Sequence, residues 1–455
     1  MKKIFNPLLL ITLILVIQGC AVYRPKPLDE HTVTQVLSAP DRKSICIKAA
    51  EIKHPILRPR NIDFKKGISA QDAAIISVIT NPALRAERAR LGVANAQLLQ
   101  AGILPNPTFG YSSDFPIGGN TAGTVTAYGL GLDWDVRSLL TRGAKVDAAR
   151  ANAASVNLEV AWEEWQVAES AKRHVYRLLY LEKQLAVGRK EEAGLRKNLD
   201  AVKKAVNMGN MTIVDQNAVD ATLRKIHTTV LDIEKKREQE RLTLNRILGF
   251  PPGSVLPLAK GMRPPSFNNV PTLAFIMNGI EKRRLDLLAL KMGYKSKEAN
   301  LRAAVRAQFP KINVGFSHAR DNTDVISAGF SVSVSLPFFD RNQGRIAIEK
   351  AGRQQLFDEY LNRVYQARAD TAAILADIKS VDEQVDAADK ASKSLRKLVR
   401  ISYRGFLEGN IDVLSYYNEV DRLFSRRLET LRLKQELADL HVALEITSGE
   451  ILGRK

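Results

Sequence analysis

The chain has 455 residues, of which 45% are hydrophobic and only 6% are aromatic, so it is long enough to bury a large core and has a composition typical of long helices. Its formal charge of +19 comes from lysines and arginines interspersed with acidic residues, without a basic tail or a basic-aromatic cluster, which favours solvated helix faces over nucleic-acid binding. The six histidines are widely separated, and we find no HExxH motif, phosphate-binding glycine loop or nucleophile elbow. We therefore expect neither an enzyme nor a metal or cofactor site.

The N-terminus resembles the signal sequence of a bacterial lipoprotein. Two lysines precede an apolar run at residues 8–17, which is too short to span a bilayer and has the length of a signal-peptide core. Gly19-Cys20 at the end of this run resembles a lipobox, which implies cleavage before Cys20 and a diacylglyceryl anchor on its sulfur. An ordinary signal peptide followed by a chance cysteine is the alternative.

The rest of the chain contains two similar repeats about 200 residues apart. Met208–Val214 aligns with Glu408–Leu414, and Leu244–Gly249 aligns with Leu444–Gly449. Units this long are not the members of a solenoid stack, and proline-rich stretches bracket them. We therefore divide the chain into a signal peptide (1–19), a lipidated, extended N-terminal segment (20–66), repeat 1 (67–249), a proline-rich linker (250–270), repeat 2 (271–450) and a C-terminal tail (451–455).

Both repeats have the same predicted order of elements, which is a helix, two strands, a very long helix, a break and a returning helix. The predicted ranges are 67–104, 106–137, 139–206, Gly209-Asn210 and 212–248 in repeat 1, and 271–307, 310–338, 343–407, Gly409-Asn410 and 411–448 in repeat 2. Apolar residues in the returning helices recur at alternating steps of four and three, which forms a narrow seam suited to coiled-coil packing. A helix of about 65 residues extends roughly 100 Å and must pack against other helices, because it has no core of its own.

The predicted strands alternate between apolar residues and small or polar ones. Apolar residues at even positions of 326–336 alternate with serine and glycine, and 126–134 shows the same pattern. An antiparallel sheet half buried on a soluble core gives this alternation too. Strands of more than ten residues, with Trp134 and Phe338 near their ends, favour instead a sheet that crosses an outer membrane, with its small polar face on a water-filled lumen.

Four such strands are too few to close a barrel. An open sheet in lipid would leave edge N–H and C=O groups without partners, at several kcal/mol each. Strands from other copies must therefore complete it, and three copies would supply twelve strands. Strand counting alone leaves two or four copies open.

Several motifs resemble the TolC family of outer-membrane efflux proteins. They are the twofold repeat, the proline at each helix-to-strand transition and the segment Leu336–Gly344, whose Phe-Asp-Arg-Asn-Gln-Gly run is similar to the CzcC-like heavy-metal efflux branch. Asn81–Arg85 and Ala101–Pro107 resemble that branch as well. The resemblance implies a mainly α, α+β membrane protein, in which a homotrimer forms a 12-stranded transmembrane β-barrel and a periplasmic α-helical barrel.

The resemblance also implies a function and partners. The chain would be the passive exit channel of a tripartite pump, joined to a periplasmic adaptor and an inner-membrane RND-type transporter, and anchored in outer-membrane lipid. The exit duct of a type I protein-secretion or multidrug system is one alternative, and a coiled-coil lipoprotein scaffold without a pore is another.

The working parts of the family lie at the periplasmic tip. Adaptor contact would fall on the turns Met208-Gly209-Asn210 and Glu408-Gly409-Asn410, where glycine allows the positive φ of a tight turn. The family places a ring of acidic residues beyond the second turn, in a pattern like Asp-Val-Leu-Asp. Asp412 matches this pattern, whereas Ser415 departs from it, and Asp215 holds a comparable place after the first turn. The resemblance thus implies a cation-attracting pore constriction at Asp412, with Asp215 as a second candidate, and the alternative is a carboxylate that complements a helix dipole.

Overall fold

The computed structural model describes residues 22–265 and 270–452, without the side chains of residues 35 and 36. The predicted signal peptide, Cys20 and most of the C-terminal tail lie outside the described residues. The chain forms two compact units. The described part of the first unit, Met1–Ala39, contains helix α1 (Glu30–Val36), which Asp29 caps by accepting a hydrogen bond from Thr32 N at 2.6 Å.

The second unit, Pro40–Lys455, contains the two repeats. Its elements up to the end of repeat 1 are α2 (Arg42–Ala50), α3 (Ala70–Thr80), α4 (Pro82–Gly102), β1 (Thr108–Asp114), β2 (Ala127–Asp135), α5 (Arg137–Asn207) and α6 (Ile213–Ile247). The elements of repeat 2 are α7 (Leu273–Met277), α8 (Ile280–Arg283), α9 (Leu285–Arg306), β3 (Ile312–Arg320), β4 (Ile326–Val334), α10 (Gln343–Leu407) and α11 (Val413–Ser448). The predicted order of elements is confirmed in both repeats.

The first helix of each repeat is interrupted, although the pattern predicted it as continuous. In repeat 1, Asn81 ends α3 and caps α4 by accepting from Ala83 N at 2.9 Å, and Pro82 occupies the first helical position. Asn81 Nδ2 also donates to Ile247 O at 2.9 Å, so the break contacts the end of α6. In repeat 2 the extended backbone of Arg284 separates α8 from α9.

The N-terminal segment 20–66 is not extended throughout its described part. Asp41 accepts hydrogen bonds from Lys43 N and Ser44 N and so starts α2. Ile45 and Ala49, one helical turn apart, are buried in a core cluster together with residues of α3 and α5. The segment therefore contains at least one packed helix, α2, and is not one extended strand.

The long helices pack along the predicted seams. Val219, Ile226, Val230 and Ile233 of α6 are at most 4% exposed and lie in one cluster with residues of α5 and α11. The four-and-three spacing in the returning helices is therefore confirmed. At 1.5 Å per residue, α5 extends about 105 Å. No helix within the described ranges has a segment that combines the length and the apolar character needed to cross a bilayer.

A trio of charged residues is buried between α5 and α11. Lys172 Nζ lies 2.6 Å from Glu169 Oε1 and 3.0 Å from Glu445 Oε2, and the three residues are at most 6% exposed. Burial raises the pKa of Glu169 to about 8, because Lys172 offsets the lost hydration only in part and Glu445 adds like charge.

The four strands form one antiparallel sheet in the order β1-β2-β3-β4, in which β2 of repeat 1 pairs with β3 of repeat 2. The strands have seven or nine residues, so the predicted length of more than ten is wrong. Prolines at positions such as Pro107, Pro310 and Pro337 lie just outside the strands and cannot donate ladder hydrogen bonds. Nine residues still extend about 30 Å, which is the thickness of a bilayer core.

Candidate functional site

The turns Met208–Asn210 and Glu408–Asn410 have the same backbone geometry. In each, the glycine N–H donates to the carbonyl three residues earlier, at 2.9 and 3.1 Å, and the asparagine N–H donates to the carbonyl five residues earlier, at 2.9 and 2.8 Å. This Schellman ending satisfies carbonyls that the helix leaves free. Gly209 and Gly409 both have φ of 74°, which confirms the predicted glycine role, whereas neither asparagine has a positive φ.

Asp412 and Asp215 both help to start the returning helices. Asp412 is the N-cap of α11, where its Oδ1 accepts from Ser415 N at 2.8 Å and its Oδ2 accepts from the Ser415 hydroxyl at 2.6 Å. In repeat 1 the hydroxyl residue is the N-cap and the aspartate stands three residues later, which is the reverse of repeat 2. Thr212 caps α6 by accepting from Asp215 N at 3.2 Å, and Asp215 Oδ2 accepts from Thr212 N at 2.8 Å, which completes a capping box.

The hydrogen bonds of Asp412 also hold it in its charged form. Donation from the hydroxyl and N–H of Ser415 lowers the pKa of this carboxyl, which is exposed. A negative charge at the first turn of α11 complements the helix dipole. This geometry supports the dipole interpretation, while a ring of three Asp412 side chains needs other copies of the chain and stays a prediction.

The residues around the turns expose apolar side chains. Met208, Ile213 and Val214 near the first turn are 58–69% exposed, and Leu407 and Leu414 near the second are 64% and 56% exposed. Large apolar side chains at this exposure are typical of surfaces that contact other proteins. The predicted adaptor contact therefore falls on a surface of suitable chemistry.

Both turns rest on one hydrophobic cluster. Met211 and Ile411, at equivalent positions after the glycines, pack against buried residues of α5, α6 and α11. In repeat 2, Tyr416 stacks on Phe406 with ring centroids 5.6 Å apart and contacts Tyr403 at 5.7 Å. The predicted site lacks this aromatic group, although Phe406 and Tyr416 flank the turn in the sequence. It stiffens the end of the second hairpin.

The sheet has two faces of different chemistry. Directly paired residues share a face, and Phe109, Leu132, Phe316 and Phe330 form one apolar row across all four strands. The opposite face carries glycine, serine, alanine, threonine, asparagine and aspartate. A groove of about 320 Å³ runs along the small residues of this second face.

No other layer of the described part of the chain covers either face. Every residue of β4 is exposed, and Phe316 and Phe330 of the apolar face are 61% and 63% exposed. The alternative of a sheet half buried on a soluble core is therefore wrong, because that arrangement would cover the apolar face.

Residues 22–265 and 270–452 contain no group of three or more histidine, cysteine, aspartate or glutamate side chains arranged to hold an ion. The candidate site is thus the set of hairpin turns together with the two-faced sheet.

These features define a class of protein. The model of the family described as "Outer membrane efflux protein" matches residues 77–250 and 277–450, one match in each repeat. The chain belongs to the outer membrane efflux protein family.

Particular relatives agree with this assignment. The "Cation efflux system protein CusC" of Escherichia coli is 24% identical over 302 residues, which are 61% of this chain and 64% of the relative. The alignment thus spans less than two thirds of that relative. A solved structure of CusC matches with a TM-score of 0.71 and 17% identity, over 90% of this chain and 99% of that one. The Campylobacter jejuni CmeC outer membrane channel matches with a TM-score of 0.69 and 13% identity, over 96% of both chains. The chain has the fold of these channels.

Proposed function

We propose that the protein is the passive outer-membrane exit channel of a tripartite efflux pump and that it exports heavy-metal cations. The observation that carries the proposal is a four-stranded sheet with an apolar face, a small polar face and no covering layer, in a chain of the outer membrane efflux protein family. Such a sheet is stable in lipid only when its edges are paired. The name of the relative CusC, a cation efflux system protein, supports cations as the cargo.

The proposed assembly is a homotrimer. Three copies of the four-stranded sheet give twelve strands, in which β4 of one copy pairs with β1 of the next. The long helices α5, α6, α10 and α11 then continue the pore into the periplasm. The turns at their far end are the proposed contact with a periplasmic adaptor, through which an inner-membrane RND-type transporter delivers the cargo. A diacylglyceryl group on Cys20 would anchor each copy in the outer membrane.

Conductance tests this proposal directly. Purified protein reconstituted into a planar bilayer should produce discrete current steps, because a closed barrel with a polar lumen passes ions. A coiled-coil scaffold without a pore would give no current beyond that of protein-free bilayers. A variant with Gly209→Pro and Gly409→Pro, which breaks the hairpin ends but leaves the strands intact, should still conduct.

A further inference from the structure

The end of α10 nearest the second turn carries a row of positive charge, which we call the basic stripe. Its residues follow one another at steps of three and four, so they share one side of the helix, and they are Lys390, Lys393, Lys397, Arg400 and Arg404. All five are exposed, and the row extends about 21 Å along the helix. Asp386 and Glu408, four residues beyond each end, bound it.

The basic stripe has no acidic partner within the chain as far as the structure describes it. None of its five residues forms an ion pair or a side-chain hydrogen bond in the described ranges, and the neighbouring Asp389 pairs with Lys434 instead, at 2.7 Å. At its other end α10 does form an ion pair at one-turn spacing, Arg345 with Glu349 at 2.8 Å. Like charges three or four residues apart repel and destabilise a helix. The stripe is therefore unfavourable on its own, and an acidic partner outside the chain would offset the repulsion.

Repeat 1 shows that the fold does not require this stripe. The equivalent positions, 200 residues earlier, carry mixed charge and are Lys190, Ala193, Lys197, Asp200 and Lys204. They are exposed in the same way on α5. Mixed charge thus suffices to keep this face of a long helix in water, so the uniform charge of repeat 2 needs another reason.

Apolar side chains flank the basic stripe. Ile401 and Leu407 lie at its two margins and are 67% and 64% exposed. Exposed apolar residues beside charges are typical of surfaces that contact proteins. Outer-membrane lipid is out of reach, because Lys390 lies 47 residues after Gln343, the first residue of α10 after the sheet, which is about 70 Å along the helix.

Other copies of the chain do not supply a matching acidic face. The regions at about the same distance from the turns are 190–204, 212–228 and 412–428. Most of their acidic residues are already in ion pairs with basic residues of the chain, namely Glu191, Glu192, Asp220, Glu419 and Asp421. Asp215 and Asp412 bond to residues at the starts of their helices, which leaves Asp200 as the one unbonded carboxylate among the described residues of these regions.

A position inside the pore is also unfavourable for the basic stripe. Rows of positive charge from every copy would repel the proposed cation cargo. The occupant that fits the stripe is therefore a different protein, bound on the side of α10 that faces away from α11.

We infer that the basic stripe is a docking surface for an acidic α-helix of another protein. This inference rests on the proposed function, in which the periplasmic adaptor is the partner at this end of the channel. Carboxylates at steps of three and four on the partner helix would each face one residue of the stripe. The contact then extends about 20 Å beyond the turns along α10, and complementary charge selects the partner and fixes its register.

Photocrosslinking in cells tests the inference. Benzoylphenylalanine replaces Ile401 in the full-length chain in its native host, and the adducts formed on irradiation are identified by mass spectrometry. The main adduct should contain a different protein, linked through a helical segment with acidic residues at steps of three and four. The triple variant with Lys390→Glu, Lys397→Glu and Arg404→Glu should lower its yield at least about fivefold, because three attractive pairs become repulsive.

Repeat 1 offers the matched control. Lys190→Glu, Lys197→Glu and Lys204→Glu reverse the charge at the equivalent positions, and the yield at position 401 should change by less than about twofold, because these residues lie outside the proposed contact. A compensating change excludes misfolding as the cause of a lower yield. Lysines in place of the acidic residues of the crosslinked segment should restore the adduct with the repeat 2 triple variant.

The outcomes separate this inference from the proposed function. No adduct at position 401, adducts only with sister chains, lipid or cell-wall polymer, or an equal effect of the two triple variants would refute the inference. The proposed function would stand in each case if the wild-type protein conducts in planar bilayers. A wild-type protein without conductance would instead refute the proposed function, and the inference with it.

Discussion

At the scale of single residues, Asp412 has a structural role that can be separated from its proposed electrostatic one. Its oxygens accept both hydrogen bonds from Ser415, so the side chain caps α11 whether or not it also faces a pore. Asparagine can accept the same N–H as a cap but carries no charge. Asp412→Asn and Asp412→Ala therefore distinguish the two roles.

We predict that both variants weaken block by multivalent cations, because each removes the negative charge from the proposed ring. Asp412→Ala should also increase single-channel conductance, because it shortens the side chain at the proposed constriction. Only Asp412→Ala should speed hydrogen exchange of the first-turn amides of α11, since it alone removes the cap. Asp215→Asn, at the comparable position of repeat 1, tests in the same way whether the first turn contributes to the constriction. If conductance changes in neither Asp412 variant while exchange rises in Asp412→Ala, only the capping role remains.

The buried Glu169 makes a second residue-scale prediction, on stability against pH. The pKa of Glu169 is about 8 in the folded chain against an ordinary value of 4.5, so between these values the folded state holds a proton that the unfolded state has lost. Stability is therefore greatest at the acidic end and decreases as pH rises through this window. The groups that face Glu169 are Lys172 and Glu445, with Tyr176 nearby.

Glu169→Gln has nearly the same shape as protonated glutamate and stays uncharged at every pH. We expect the free energy of unfolding of this variant, measured by denaturant titration with circular dichroism in detergent, to fall less than that of wild type as pH rises from about 5 to about 8, because the variant has no carboxyl to deprotonate at this site. Glu51→Gln removes an exposed carboxyl and should retain the wild-type slope. Equal slopes in wild type and Glu169→Gln would contradict the assigned protonation of Glu169.

At the scale of elements, the hairpin turns depend on glycine. Gly209 and Gly409 sit at φ of 74° with open space around the position of a Cβ, so an alanine would cost backbone strain but no clash. We predict that Gly409→Ala destabilises the second hairpin end by about 1 kcal/mol, seen as faster hydrogen exchange on both sides of the turn.

Gly194 provides the matched control for this prediction. It also has open space around a Cβ but lies inside α5, where alanine is the better helix former. Gly194→Ala should therefore slow local exchange, with a gain of about 0.5–1 kcal/mol. Destabilisation of similar size in both variants would show that added bulk, rather than φ, is responsible.

The elements also show what the sequence could and could not predict. The apolar seam of α6 and the turn at Gly209 could be predicted from the sequence. The spacing of apolar residues along a helix and the positive φ that glycine allows are local properties, and long-range packing does not change them. The break at Asn81-Pro82 has a local signal that the apolar spacing does not contain, because asparagine is a good N-cap and proline suits the first helical position. Only the bond from Asn81 Nδ2 to Ile247 O, 166 residues away, is invisible in the local sequence. Likewise, Lys172 and Glu445 are 273 residues apart, so no local pattern could show that they meet.

The same reasoning applies to the candidate site. The chemistry of the two strand faces follows from alternation and was predicted. The exchange of roles between Thr212-Asp215 and Asp412-Ser415 was not recognised, although both pairs have the spacing of helix caps. Ser415 departs from the acidic pattern of the family, but its hydroxyl and N–H are the groups that hold Asp412.

At the scale of the whole molecule, the edges of the sheet determine the assembly. The order β1-β2-β3-β4 leaves β1 and β4 each with one unpaired edge, and both edges must be satisfied inside a membrane. Among the described residues, the four strands already pair with one another, so in the proposed assembly strands of other copies cover these edges. In the proposed assembly, β4 of each copy pairs with β1 of the next copy. The strands then form a closed ring, and the number of copies sets its number of strands.

Cysteine crosslinking between these edges counts the copies. We combine Ser112→Cys in β1 with Ser327→Cys, Gly329→Cys or Ser331→Cys in β4, all on the small polar face, in a Cys46→Ser background. Three partners are tried because adjacent edges can be staggered, and a disulfide forms only when the Cβ atoms come within about 4.5 Å.

At least one of these cysteine pairs, oxidised in isolated outer membranes, should yield a covalent species of at most three chains, since the ring is then closed. The single cysteine variants should remain monomeric on denaturing gels. Covalent products of at most two or four chains would show a ring of two or four copies instead of a trimer. A ladder of products without an upper limit, or no crosslinked product from any pair, would contradict closure of the barrel through these edges.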